Sequence, residues 1–158
     1  MEPHFYNVDI AWDKERKGMM CSPELAGEHH PSGGCIEVAT PPEFPKGMEG
    51  IWSPEHLLVA AANSCLMTTF LAIAENSRLE FVDFSSKAVG KLEIVDGKYM
   101  ISEITLTPTV IIRDESQKEK AERVLNKSEA ACLISNSLKS KIIFNINIVI
   151  SNSAYACN

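Results

Sequence analysis

The sequence predicts an α+β fold with largely antiparallel strand pairing, and three observations carry that prediction. A long apolar helix candidate opens at Ser53 and runs to about Asn76. Two long alternating segments meet at Asp96-Gly97, a strong two-residue hairpin signal. Short strand-like segments precede the helix, and a second helix and a last strand follow the hairpin. The order β-β-β, α, β-β, α, β places strands in runs rather than in βαβ alternation.

The elements follow in chain order. FYNVDIAW (5–12) alternates well enough to be a strand, DKERKG (13–18) reads as a charged turn, and a second strand begins between Gly18 and Ser22. Residues 23–33 carry Pro23, Gly27, Pro31 and Gly33 and read as loop, and CIEVAT (35–40) is a short strand. PPEFPKGMEGIW (41–52) is a long irregular segment, of the kind that is functional or interfacial. Ser53 is a good N-cap, Pro54 suits the first helical position, and Glu55 complements the helix dipole in the first turn.

Residues 79–96 and 98–113 form the hairpin, with Ile104, Leu106, Val110 and Ile112 on one face. Asp114 with Gln117 makes a capping-box pattern for a second helix. That helix carries Ala121, Val124, Leu125, Ala131 and Cys132 along its apolar stripe. IIFNINIVI (142–150) reads as one last strand with Phe144, Ile146, Ile148 and Ile150 on one face.

The chain has 158 residues and no obvious linker, so a single domain spanning 1–158 is expected. At 45% hydrophobic and 23% charged residues, the composition is that of a folded chain rather than a disordered one. The net charge of −6, with no basic stripe, argues against nucleic-acid binding. The run 57–74 is long enough to be a membrane-span candidate. Its Asn63, Ser64, Thr68 and Thr69, with no basic or aromatic flanks, favour a central core helix, so no membrane partner is expected. MEPHFYNVDI has no basic region leading into an apolar run, which argues against a signal peptide, and a reducing cytoplasm is the expected location.

The five cysteines are Cys21, Cys35, Cys65, Cys132 and Cys157. Their odd number and wide spacing suit neither a disulfide scaffold nor a Cys-x-x-Cys motif, and Cys21, Cys35 and Cys157 suggest no role. His29-His30 is an adjacent pair with no further ligands at metal-site spacing, so no metal is expected. A nucleophile elbow and a glycine-rich phosphate loop are both lacking.

Cys65 and Cys132 lie on helices whose apolar faces need the same core, so the two can approach. Each alone reads as a buried structural thiol. Together with a cation they suit peroxide reduction: a thiolate attacks the O–O bond, and a second thiol captures the sulfenic acid as a disulfide. Of the four arginines, Arg16 lies in the turn after the first strand and Arg123 on the charged face of the second helix.

PPEFPKGMEGIWSPEHLLVAAANSCLMTTFLAIA resembles the first-cysteine segment of the OsmC/Ohr family, the osmotically inducible and organic hydroperoxide resistance proteins. ACLISNSLKSKI resembles the family's second-cysteine motif, Cys-x-x-Ser-Asn. Leu133 stands where the organic-hydroperoxide branch has proline, which is more like the OsmC-like branch. The resemblance implies an OsmC-like fold, with antiparallel sheets wrapped around central helices in an intertwined homodimer.

It also implies a thiol-dependent peroxidase for organic hydroperoxides, recycled by a dithiol such as a lipoyl group, without metal or organic cofactor. Cys65 then matches the peroxidatic cysteine, Cys132 the resolving cysteine, Glu55 the acid that orients the catalytic arginine, and Arg16 that arginine. Leu66, Met67 and Phe70 are apolar neighbours suited to an alkyl peroxide. The alternative is a non-catalytic stress-related or ligand-binding protein on the same fold, with both cysteines in the core.

In a continuous helix, the ten positions from Glu55 to Cys65 span about 15 Å. Two copies of the helix packed antiparallel near Ala60 to Ala62 would bring Glu55 of one chain level with Cys65 of the other.

Overall fold

Gly90 in the second half of the chain and the Asp96-Gly97 turn show how this backbone is shaped by its sequence. The computed structural model describes residues 2–26 and 33–151; His29, His30 and Cys157 lie outside them. The architecture is α+β. The chain divides into two compact units, 1–57 and 58–158, and each is taken by itself.

The first unit is a three-stranded antiparallel sheet in the order β1-β2-β3, with β1 at Asp9–Lys14, β2 at Lys17–Cys21 and β3 at Cys35–Ala39. Val38 and Ala39 are its buried apolar positions. All of β1 is exposed, including Ile10 and Trp12. Residues 41–52 remain irregular, as expected, and Trp52 bridges to Val38. Contrary to the reading of the cysteine spacing, Cys21 and Cys35 form a disulfide. They are direct cross-strand neighbours at the end of the β2–β3 ladder, a relationship that depends on strand register rather than spacing.

The helix α1, Pro54–Asn76, begins in the first unit and continues without a break. Ser53 caps it: its hydroxyl accepts from the backbone N–H of His56 at 3.3 Å. Ser53 Oγ also pairs with His56 Nδ1 at 2.8 Å, a side-chain contact within the first turn.

In the second unit, β4 (Asp83–Val95) and β5 (Lys98–Ile112) form the long hairpin. Asp96 and Gly97 both take positive φ, 50° and 77°, as a type I′ turn requires. Then come α2 (Lys118–Ala131), α3 (Leu133–Ser137), β6 (Lys141–Phe144) and β7 (Asn147–Ile150). The expected single last strand is two, and both run parallel to β5 rather than antiparallel. Phe144, Ile146, Ile148 and Ile150 still pack against one core, so the period of two survives the interruption.

That core contains Phe70, Ala74, Val110, Ile112, Ala121, Val124 and Leu125. A second core joins Ala62 and Leu66 of α1 to Ile104 and Leu106 of β5. Gly90 lets the helix lie close to the sheet, because a Cβ there would come within 2.5 Å of Val59 Cγ2.

Three local expectations change. Asp114 accepts from Ser116 N at 2.8 Å and opens a 3-10 turn at 115–117, while Gln117 accepts from Lys120 Nζ instead of completing a capping box. Ala131 is exposed, and Ser128 takes its place on the buried stripe by donating to Val124 O at 2.7 Å. The helix α1, expected to be the central core helix, buries Ala62, Leu66, Phe70 and Ala74 within this chain and leaves Met67 (41%) and Leu71 (43%) exposed. By length and composition alone α1 could cross a membrane.

Candidate active site

Cys132 marks the joint between two helices. The chain leaves helical geometry at this residue (φ −66°, ψ 106°), so α2 ends at Ala131 and α3 begins at Leu133. The Cys-x-x-Ser-Asn motif builds that joint. Cys132 N–H donates to Glu129 O at 3.1 Å, and Asn136 N–H donates to Cys132 O at 3.0 Å. Asn136 Nδ2 donates to Ala130 O at 3.1 Å, satisfying a carbonyl that the end of α2 leaves without an intrahelical partner. Ser135 Oγ donates to Cys132 Sγ at 3.2 Å, and both residues are buried.

The neighbouring side chains of α3 set its position against α1. Ile134 and Leu138 pack on the cluster that contains Ala62 and Leu66, and Leu66 follows Cys65 directly. The start of α3 thereby meets the middle of α1, and the two free cysteines of the described residues come together. Cys65 is half-buried and Cys132 fully buried.

The two thiols are driven in opposite directions. Burial pushes Cys65 up, but four donors outweigh it: the Ile134 backbone N–H, the Cys132 thiol, the Thr69 hydroxyl and the Leu133 backbone N–H. The net effect holds Cys65 below the ordinary thiol value. Thr69 Oγ1 stands 4.0 Å from its sulfur. Burial also pushes Cys132 up; Ser135 partly offsets this, and the neighbouring Cys65 adds to it, so Cys132 ends above the ordinary value. Of the two, Cys65 is therefore the thiol that loses its proton more readily. A half-buried thiolate beside a protonated thiol can attack an electrophile and then be captured as a disulfide.

Sequence reasoning singled out the two cysteines but not their donors. Ser135 was legible as part of the motif, whereas Thr69 and the N–H groups of Leu133 and Ile134 gain their role from helix packing. Leu66 and Phe70, expected beside a substrate, are instead fully buried in the two cores, and Met67 is exposed.

Glu55 and Arg16 belong to the first unit. Arg16 is exposed in the β1–β2 turn, where its carbonyl accepts from Thr40 N–H at 3.1 Å. Its side chain borders an open cleft with Glu15, Lys46 and Met48. Glu55 is half-buried in the first turn of α1, and its Oε2 is buried without a hydrogen-bond partner among the described residues. Glu55 and Arg16 form no ion pair with each other. A buried carboxylate oxygen left unsatisfied costs on the order of 1–3 kcal/mol or more, so Glu55 is a standing acceptor for a donor. Among the described residues, no cluster of three or more His, Cys, Asp or Glu is arranged to hold a metal ion.

The profile described as OsmC-like protein matches residues 47–147, which include both cysteines and most of the second unit. The Bacillus subtilis protein YmaD, itself uncharacterised, is 26% identical over 115 residues, 70% of this chain and 76% of YmaD. An OsmC-like protein of unknown function from Vibrio cholerae has a similar fold, with a TM-score of 0.77 at 22% identity, covering 91% of this chain and 99% of that one. An organic hydroperoxide resistance protein of Legionella pneumophila matches with a TM-score of 0.68 at 18% identity, covering 95% of this chain and 100% of that one. At these identities the solved structures speak for the fold alone. The profile match extends over more than half the sequence, and the chain belongs to the OsmC-like protein family.

Proposed function

We propose that this chain is a thiol-dependent peroxidase that reduces organic hydroperoxides in the cytoplasm, with Cys65 peroxidatic and Cys132 resolving. The observation that carries the reading is the meeting of two free cysteines, half-buried Cys65 on α1 and buried Cys132 at the α2–α3 joint, with the donors of α3 and Thr69 turned on Cys65. The Cys65 thiolate attacks the outer peroxide oxygen, the O–O bond breaks, and the alkoxide leaves as the alcohol after taking a proton. Cys65 becomes a sulfenic acid. Cys132 then attacks that sulfur, expels water and closes a disulfide. The pair loses two electrons and the hydroperoxide gains them. An external dithiol, lipoyl-type dithiols included, reopens the disulfide by exchange.

The working form in this reading is a homodimer with shared sites. Because α1 is unbroken, Glu55 lies about 15 Å along the axis from Cys65. Antiparallel packing of two α1 helices would bring the partner subunit's Glu55 level with Cys65. The unsatisfied Glu55 Oε2 and the exposed Met67 and Leu71 support such a partner. Ala62 is taken up by its own core, so Ala60 and Ala61 are the small residues left for the crossing. Glu55 would hold the Arg16 guanidinium by a charge-assisted hydrogen bond, and the guanidinium would further favour the Cys65 thiolate.

The test is steady-state consumption of an alkyl hydroperoxide with a dithiol reductant. Wild type should turn over, and Cys65→Ser should be inactive. Unchanged consumption in Cys65→Ser would remove the proposal.

A further inference from the structure

The disulfide between Cys21 and Cys35 takes no part in the chemistry assigned to Cys65 and Cys132. Cys21 ends β2 and Cys35 begins β3, directly opposite, with Cα atoms 4.1 Å apart. The adjacent Ser22 N–H donates to Gly34 O at 3.2 Å, so the cysteines occupy a non-hydrogen-bonded pair, the position where facing side chains are closest.

The register of the sheet does not rest on the bond alone. Backbone pairing already aligns β2 with β3 from Lys17 opposite Ala39 to Cys21 opposite Cys35, and Thr40 N–H to Arg16 O closes the far end. The buried apolar residues of β3, Val38 and Ala39, lie at the end of the strand away from Cys35. Both cysteines are half-buried rather than enclosed. A disulfide at an accessible sheet end, away from the core, meets the steric requirement for attack by an external thiolate. In the cytoplasm proposed above, on which this point rests, disulfides are as a rule transient rather than structural.

We propose that Cys21 and Cys35 form a second, reversible dithiol–disulfide couple that exchanges with dithiols without unfolding of the first unit. One thiolate of the dithiol attacks a sulfur of the pair, forms a mixed disulfide and expels the other cysteine as thiolate. The second thiol of the dithiol attacks its own sulfur in the mixed disulfide and releases the first cysteine. Two electrons pass from the dithiol to the pair, the released thiolates take two protons, and the dithiol leaves as its disulfide.

The test uses the wild-type full chain under native conditions, titrated anaerobically with dithiothreitol, alkylated with iodoacetamide and read by peptide mapping. The Cys21 and Cys35 peptides should gain label together, and samples treated with oxidised dithiothreitol before alkylation should show both unlabelled again. The fluorescence of Trp12 and Trp52, both in the first unit, should stay unchanged throughout. A pair that stays closed in excess dithiothreitol until denaturant is added would overturn the proposal. So would opening that occurs only with loss of the tryptophan signal. Peptides carrying Cys65 and Cys132 are read separately in the same digest, so failure here is distinct from failure of the peroxidase reading.

Discussion

Ser135 Oγ donates a hydrogen bond to Cys132 Sγ at 3.2 Å, both residues buried at the joint between two helices. This gives the serine of the Cys-x-x-Ser-Asn motif a physical role: it eases the loss of the proton that burial makes Cys132 keep. Ser135→Ala removes that donor and raises Cys132 further, so fewer resolving thiolates form. Disulfide closure should slow about 2- to 10-fold, the effect of one hydrogen bond of roughly 0.5–1.5 kcal/mol. The first step at Cys65 should be unaffected, and excess peroxide should drive more Cys65 to sulfinic acid. Rapid-quench mass spectrometry separates these two steps.

Cys65 labels as a thiolate, so its alkylation rate rises with pH through its titration. A lowered pKa moves that rise to the acid side of an ordinary thiol, and Cys65 should label faster than free cysteine at neutral pH. Cys132→Ala removes one of the donors that lower it and should move the profile to higher pH. Cys132→Ser keeps a hydroxyl donor and should lie closer to wild type. Peptide-mapped iodoacetamide labelling across the pH range reads both shifts.

Gly90 is required by the approach of α1 to the sheet. An alanine Cβ would meet Val59 Cγ2 at 2.5 Å, and a β-branched side chain on a helix has little freedom to move away. Gly90→Ala should destabilise the protein by about 1–3 kcal/mol in urea unfolding. Adding Val59→Ala should recover part of that loss, which distinguishes the steric clash from a general intolerance of the strand.

The exposed apolar stripe of α1 bears on the dimer. Leu71 is 43% exposed, so within one chain Leu71→Glu should change stability by no more than about 0.5 kcal/mol. In the proposed dimer the same charge is driven into an apolar interface. Sedimentation should show wild type as a dimer and Leu71→Glu as a folded monomer. A monomeric wild type would contradict the shared site.

How far the sequence foretold this structure depends on where each signal resides. Ser53, Pro54 and Glu55 mark the start of α1 locally, and Asp96-Gly97 marks the hairpin, because caps and tight turns are set by a few adjacent residues. The alternation through Phe144 to Ile150 identified the core face even across the break between β6 and β7. The helix break at Cys132 carries no Gly or Pro; it rests on Asn136 reaching back to Ala130 and on Ile134 docking in the core. The Cys21–Cys35 disulfide depends on hairpin register across a separation of 14 residues. The parallel pairing of β6 and β7 with β5 is decided by where α2 and α3 return the chain. For the site, the two cysteines were legible as residues, but the asymmetry between them comes from donors on α3 and Thr69, which only tertiary packing assembles.

The central claim is that Cys65 is an activated thiolate captured by Cys132. One equivalent of tert-butyl hydroperoxide, mixed with the reduced protein and quenched by acid, tests it most directly. The account predicts a Cys65–Cys132 disulfide formed in proportion to peroxide consumed, at a rate well above that of free cysteine. A Cys65 that reacts no faster than free cysteine, or that yields no disulfide to Cys132, would contradict it.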